Sequence, residues 1–297
     1  MEIIILLVFL LFILLGYAFF KYWSNDVEIC GGLELFKTEF KSRLSMPRKY
    51  KRLDKKVCYI KKQILKPLPF DAPMIKSNDE LPDGLCVIEG PFKDAEIDKL
   101  HENLEHIFGH LSELGLPYEY NKIHGNTFLF DNVNVQKWGD VITELQRVDP
   151  YTASAMTKLV GHVREKLDIP SEVIESQLMT TIIKYDQDQG IKLHLDSIRR
   201  ASGGPIVTMN IGPDFIYYDL VSIRGDRKDP SYRVRVDKNE LVVMDGEMRL
   251  HYAHALPYGF HYSRTKYTIV LLFDKFRVIE TKYSDYFKTD VTKSVKC

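Results

Sequence analysis

A succession of short β-type runs occupies the chain from Gln177 onward, and this pattern constrains the fold more than any other feature. Turn residues separate the runs, which follow one another at a spacing of roughly 8–12 residues. The seven runs are TTIIKY, IKLHLD, PIVTMNI, FIYYDL, YRVRV, ELVVM and YTIVLLF. Many short strands at this spacing are typical of two packed antiparallel sheets. The sequence therefore predicts a sandwich or jelly roll.

The residues before these runs have a different periodicity. Residues 94–111 and 151–167 have the apolar spacing of helices, and residues 85–89 resemble a short strand. The two helices could cover one face of a sheet. The predicted fold class is therefore mainly β with supporting helices (α+β), with a jelly-roll core.

The N-terminus is the most apolar part of the chain. Residues 3–20 are 18 consecutive residues without a charge, and Tyr22 and Trp23 follow them. At about 1.5 Å per residue such a helix spans roughly 27 Å, which suffices for a thin bilayer. The bulky flank does not resemble a signal-peptide cleavage site. We therefore expect residues 1–23 to be an uncleaved transmembrane anchor; a buried core helix is the alternative.

A strongly basic segment follows the apolar one. Residues 36–66 hold 12 Lys and Arg against two acidic residues, although the whole chain is neutral, so the remainder has a net charge of −10. Basic residues beside a span stay on the cytoplasmic side, and they bind anionic headgroups. The sequence thus predicts a single-pass protein with a cytosolic catalytic domain and a basic tether; a nucleic-acid-binding arm is the alternative for the basic block. The four cysteines form no CxxC motif, which favours a reducing compartment.

A set of potential metal ligands lies within the β-rich region. His194 and Asp196 alternate along one strand-like run, so both side chains point to the same face. A second histidine, His254, follows 58 residues later. Two histidines and one carboxylate form the facial triad of non-haem iron oxygenases, which leaves coordination positions open. Arg264, at the head of the last run, has the planar fork that clamps a carboxylate.

Four segments carry a resemblance to a known family. The chain resembles the AlkB-type family of Fe(II)/2-oxoglutarate-dependent dioxygenases over about residues 85–276. The matching segments are KYDQDQGIKLHLD (184–196), GGPIVTMNIG (203–212), VVMDGEMRLHYAHALP (242–257) and RTKYTIV (264–270). The resemblance implies a double-stranded β-helix core. Together with the anchor and the tether, which the apolar and basic segments predict, it divides the chain into four segments. These are the anchor (1–23), a tether and linker (24–78), the dioxygenase domain (79–278) and a C-terminal tail (279–297).

The resemblance also implies the cofactors and the residues that bind them. His194, Asp196 and His254 would bind Fe(II), and Tyr185 and Arg264 would hold the distal carboxylate of 2-oxoglutarate. With O₂, a C–H bond of the substrate would be oxidised while 2-oxoglutarate becomes succinate and CO₂. Two positions depart from the family pattern. Ile183 stands where an Asn is common, and Val270 stands where a second Arg is common.

The resemblance favours oxidative demethylation of an N-alkylated nucleic acid as the function. RNA is favoured over DNA, because a membrane anchor is unusual for a DNA repair enzyme. Tyr118, Tyr120 and Phe128 are candidates for stacking on a flipped base. The acidic body of the protein argues against a phosphate backbone as partner. Two alternatives stay open. One is a protein side-chain hydroxylase or demethylase that uses the same site, and the other is a non-catalytic metal- or ligand-binding module tethered to the membrane.

Overall fold

The structure is a computed structural model, and it describes a defined part of the chain. The described residues are 68–69, 71–72, 74–75, 81, 84–121, 125–130, 137–186, 189–194, 205–222, 231–245, 248 and 252–273. All of them belong to one compact unit, Leu65–Cys297. Within these ranges no helix is both long enough and apolar enough to cross a bilayer. The predicted anchor (1–23) and C-terminal tail (279–297), with nearly all of the tether, lie outside the described residues.

In the part of the chain that the structure describes, twelve strands form two sheets. The major sheet has seven strands in the order β2-β10-β7-β12-β5-β4-β3, and the minor sheet has five in the order β1-β9-β8-β11-β6. The strands are β1 (Met74–Ile75), β2 (Leu85–Glu89), β3 (Tyr118–Asn121), β4 (Asn126–Leu129), β5 (Leu178–Tyr185), β6 (Ile191–His194), β7 (Ile206–Ile211), β8 (Phe215–Ser222), β9 (Tyr232–Asp237), β10 (Glu240–Met244), β11 (Tyr252–Leu256) and β12 (Lys266–Phe273). All pairings are antiparallel except β1 with β9. The predicted jelly roll is therefore confirmed as a mainly β fold of two sheets.

Five helices accompany the sheets in the described part of the chain. They are α1 (Asp94–Gly109), α2 (Leu111–Leu114), α3 (Trp138–Val148), α4 (Pro150–Lys166) and α5 (Ser171–Gln177). The two helices predicted from periodicity are confirmed as α1 and α4. The carboxylate of Asp149 caps α4 by accepting from the backbone of Tyr151 and Thr152, and Pro150 occupies the first turn. The sequence did not predict α3 and α5.

Strand alternation divides the core into two layers. On β12, Tyr267, Ile269 and Leu271 face α1, α3 and α4, while Val270 and Leu272 face the minor sheet. The first layer holds the helices to the outer face of the major sheet. The second layer lies between the two sheets and defines an inner face of each. Residues that alternate with the outer layer must therefore line the space between the sheets.

The cysteine of β2 takes part in a disulfide. Cys86, the one cysteine among the described residues, is buried in β2 and is disulfide-bonded. The spacing of the four cysteines did not predict a disulfide, because residues distant in sequence can pair only where the tertiary structure brings them together.

Candidate active site

The two predicted histidine ligands face each other across a strand pair. In the antiparallel pair β6 and β11, His194 and His254 are directly opposite, and their ring centroids are 4.3 Å apart with an angle of 54° between the rings. His254 lies among the inner-face residues of β11 and is 9% exposed, whereas His194 is half-buried at the end of β6. Two imidazoles this close can bind the same ion.

The tautomer of His194 is fixed by its own strand. Nδ1 of His194 lies 2.8 Å from the carbonyl oxygen of Lys192. A carbonyl only accepts, so Nδ1 carries the proton and the lone pair is on Nε2. Metal-binding histidines commonly donate their second ring N–H in this way. The histidine pair therefore fits a divalent metal.

The third predicted ligand is not among the residues that the structure describes. Asp196 follows the described end of β6 by two positions. No group of three or more His, Cys, Asp or Glu side chains suited to a metal occurs within the described residues. The assignment of Asp196 stays a prediction, based on alternation along the strand.

A buried lysine lies on the inner face of the major sheet. Lys266, the first residue of β12, is 1% exposed, and its Nζ donates to the carbonyl oxygen of Gln189 at 2.6 Å. The same Nζ lies 5.6 Å from the ring centroid of Tyr185 and 4.3 Å from that of Tyr262. Lys266 is directly opposite Tyr185 in the pairing of β12 with β5. Lys266 was not among the site residues predicted from the sequence. The sequence signal that could have identified Lys266 is its alternation with Thr268 and Val270 along the run, which places all three on one face of the strand.

The phenol of Tyr262 remains neutral beside this ammonium group. Burial raises the pKa of Tyr262 to about 12. Its hydroxyl oxygen accepts from the backbone N–H of Tyr217 at 3.2 Å. Tyr262 therefore contributes a ring face and a neutral hydroxyl at physiological pH, so it does not act as a base.

The structure places Arg264 elsewhere than the sequence predicted. Nη1 of Arg264 lies 2.8 Å from Oδ1 of Asp98 on α1, and the side chain of Arg264 is 47% exposed. Lys238 also contacts Asp98, at 3.1 Å. These two cations lower the pKa of Asp98, with the hydrogen bond from Lys238 as the largest cause. The guanidinium of Arg264 is thus engaged with a helix, whereas the predicted role was to clamp a ligand carboxylate in the pocket.

Helix α1 makes a second contact at the same point. Nε2 of His101, one helical turn after Asp98, donates to the carbonyl oxygen of Thr265 at 3.0 Å. A side chain at Gly212 could not fit there, because its Cβ would lie 2.3 Å from that carbonyl oxygen. Through Asp98 and His101, α1 fixes the two residues that precede Lys266. We attribute the direction of the Lys266 side chain to this anchoring and to the register of β12.

A buried polar network occupies the inner face beside Lys266. The Thr268 hydroxyl donates to Oδ1 of Asn210 at 2.7 Å, and Nδ2 of Asn210 donates to the hydroxyl of Tyr218 at 3.2 Å. That hydroxyl also lies 2.9 Å from the hydroxyl of Thr208. Ile183 is directly opposite Thr268. Polar groups from the neighbouring strands therefore adjoin the position where the expected Asn is absent.

The three aromatic residues proposed for base stacking do not share a face. Phe128 is opposite Ile183 and packs in the inner layer. Tyr118 and Tyr120 are opposite Leu129 and Thr127, so they project to the other side of the sheet, and the Tyr118 hydroxyl lies 3.0 Å from that of Ser112. Alternation within β3 and β4 separates these groups. A stacking site formed jointly by all three is therefore excluded.

Comparisons with known proteins identify one family. The 2OG-Fe(II) oxygenase superfamily matches residues 86–268, more than half of the chain. No curated protein matches. Among solved structures, a Pseudomonas putida prolyl-4-hydroxylase is similar with a TM-score of 0.38 and 12% identity over 65% of this chain and 93% of that one. A structure described as OsALKBH1 is similar with a TM-score of 0.37 and 13% identity over 65% of this chain and 97% of that one.

Proposed function

The chain belongs to the 2OG-Fe(II) oxygenase superfamily and is thus an Fe(II)- and 2-oxoglutarate-dependent oxygenase; on this premise we propose which residues bind the metal and which bind the cosubstrate. His194, His254 and Asp196 hold Fe(II), and Lys266 with Tyr185 holds the distal carboxylate of 2-oxoglutarate. The observation that carries this proposal is the cross-strand histidine pair in a fold that also buries an ammonium group on the inner face of the other sheet. The family match confirms the resemblance to AlkB-type dioxygenases at the level of the superfamily.

The chemistry sets what each residue must do. Iron with bound 2-oxoglutarate and O₂ supplies the oxidation of a substrate C–H bond, with release of succinate and CO₂. The two imidazoles hold the metal through neutral nitrogens, and His194 keeps its orientation through Lys192. The buried ammonium of Lys266 then binds and orients the far end of the cosubstrate. Binding at both ends fixes the position of the 2-oxo acid group relative to the metal.

Burial is the reason to assign this role to Lys266 and not to Arg264. A carboxylate gains most from a cation where water is excluded, because the effective dielectric is lower there. Lys266 is almost fully buried, whereas Arg264 is half-exposed and already paired with Asp98. A lysine acts as a point charge and not as a fork, so orientation of the carboxylate requires further groups. Tyr185, directly opposite Lys266, is one such group.

For the substrate we propose an N-alkylated nucleic acid, RNA before DNA, with oxidative demethylation as the outcome. The sequence resemblance supports this class. Phe128 lies on the inner face, where it could contact a base, and the exposed Lys192 lies two residues before His194 on β6. A base stacked on one aromatic ring gains about 1–3 kcal/mol.

A protein side chain is the second candidate substrate. The observation that favours it is the direction of Tyr118 and Tyr120, which project away from the inner face. Glu119 lies on the same side of the sheet as Phe128, since the two are directly opposite. A carboxylate at this edge repels phosphate but is compatible with a neutral or basic peptide.

The test follows conversion of 2-oxoglutarate to succinate by the full chain loaded with Fe(II) under controlled O₂. We expect turnover in the wild type and its loss in His194→Ala. Methylated RNA, methylated DNA and peptide pools are then compared for stimulation of succinate release at increasing salt. A nucleic-acid substrate should lose affinity steeply with ionic strength, whereas a neutral peptide should not. An absence of succinate with every pool would contradict the proposal.

A further inference from the structure

One buried side chain on the inner face has unsatisfied polar atoms. Asn126, the first residue of β4, is 1% exposed. Neither its Oδ1 nor its Nδ2 has a hydrogen-bond partner among the residues that the structure describes. Buried side-chain amides nearly always have partners, so each exception requires an explanation. An amide that awaits a ligand is one such explanation.

The register places Asn126 in line with the proposed cosubstrate residues. Thr127 is opposite Lys184 in the pairing of β4 with β5, so Asn126 comes beside Tyr185, one step along. Tyr185 is in turn opposite Lys266. Residues directly opposite one another share a face of the sheet. Asn126, Tyr185 and Lys266 therefore form one lateral row on the inner face of three neighbouring strands.

Distance and charge both suit a shared ligand. Neighbouring strands lie about 4.8 Å apart, so Asn126 and Lys266 are separated by roughly 10 Å at the backbone, and both side chains can reach toward the space above Tyr185. One ammonium group already balances one carboxylate. A second cation would leave excess charge in a buried site, whereas a neutral amide adds a directed hydrogen bond without adding charge.

We propose that the Asn126 amide donates from Nδ2 to the distal carboxylate of 2-oxoglutarate and so completes the recognition that Lys266 begins. The inference rests on the proposed function, because it takes the same cosubstrate in the same pocket. It assigns Asn126 as a binding residue. In the absence of cosubstrate, the buried amide destabilises the fold.

Two results are expected for Asn126→Leu, which has the same number of side-chain heavy atoms with the same branching at Cγ and no polar atoms. The variant should bind 2-oxoglutarate about 10- to 100-fold more weakly, since hydrogen bonds to charged groups contribute this much. Its thermal midpoint without 2-oxoglutarate should be equal to or higher than that of the wild type, because an unsatisfied buried amide is removed. An amide with a structural role would give the opposite stability change.

The measurement uses the full chain loaded with Mn(II), which prevents turnover, and titrates 2-oxoglutarate by calorimetry alongside a thermal melt. Asn103→Leu is the matched control, because Nδ2 of Asn103 donates to Asp149 at 2.8 Å. The control should lose stability and retain its affinity. If Asn126→Leu does not fold, Asn126→Asp preserves the shape, removes the donor and places a negative charge beside the carboxylate, so it too should weaken binding.

The possible results separate this inference from the proposed function. Wild-type binding together with unchanged affinity in the Asn126 variants would overturn the inference and leave the proposed function intact. A thermal midpoint that falls in Asn126→Leu with unchanged affinity would show that the amide is structural. A wild type that binds no 2-oxoglutarate would overturn the proposed function itself. Weaker binding with an unchanged or higher midpoint supports the inference.

Discussion

Replacement of Lys266 by methionine tests the assignment of the pocket most directly, with Arg264→Met as its matched control. Methionine has a similar length and no charge, so the core can remain filled. The substitution also removes the hydrogen bond to the carbonyl of Gln189. Removal of a buried charge also removes its desolvation cost, so we expect the variant to fold.

The expected change in the KM for 2-oxoglutarate follows from the burial of Lys266. A hydrogen bond to a charged group contributes about 1.5–3 kcal/mol, so loss of the ammonium should raise the KM for 2-oxoglutarate roughly 10- to 150-fold. Arg264 is half-exposed, and its pair with Asp98 is of the surface type, which contributes about 0–1 kcal/mol to stability. Arg264→Met should therefore change this KM by less than about threefold.

The assay measures succinate formation against 2-oxoglutarate concentration at saturating substrate, with separate fits of kcat and KM. A rise in KM with little change in kcat indicates that the lost interaction stabilised the ground state and the transition state equally. The reasoning is refuted if Arg264→Met raises KM as much as Lys266→Met does. That result would return the carboxylate role to the arginine that the sequence predicted.

Four further predictions concern the surrounding structure. Tyr120→Ala should leave the KM for a nucleic-acid substrate within about twofold, because its ring projects away from the inner face; a tenfold rise would show that this ring contacts substrate. Asp219→Ala should destabilise the fold by about 3–5 kcal/mol in urea titration, because it removes the carboxylate that pairs with the buried guanidinium of Arg233. Asp219→Leu combined with Arg233→Met should recover most of this loss. The pKa of Asp98 is lowered in the folded state, so its pairing stabilises the fold above the pKa of the unfolded state, near 3.8, and this stabilisation is lost as pH falls through the pKa of the folded state. The difference in urea midpoint between the wild type and Asp98→Asn should thus be full at pH 7 and small at pH 2. An equal difference at both pH values would contradict the predicted pH dependence. Deletion of residues 1–23 should move the protein from the membrane to the soluble fraction in carbonate extraction, and an unchanged distribution would show that the membrane association, if any, lies elsewhere.

The pattern of the sequence determined the elements that depend on local periodicity. Runs of β-type residues predicted eight of the twelve strands in the described part of the chain, and spacing of three and four predicted α1 and α4, because these patterns reflect which side of an element is buried. The same alternation singled out His194, and the facial-triad pattern of two histidines and one carboxylate singled out His254. The structure brings these two rings within 4.3 Å of each other. A short hairpin such as β3 and β4 gave no strong signal, since its residues are mostly exposed on one strand.

The tertiary structure decided which polar groups enter the pocket. Arg264 and Lys266 have the same parity along the run, but only Arg264 was predicted from the sequence. The contacts of Asp98 and His101 with Arg264 and Thr265 direct the arginine to a helix and leave the lysine inside. The burial of Asn126 likewise depends on the pairing of β4 with β5, which is distant in sequence. Local patterns specify which side of an element faces inward, whereas the partners of a buried charge or amide are fixed by long-range register, which no single segment encodes.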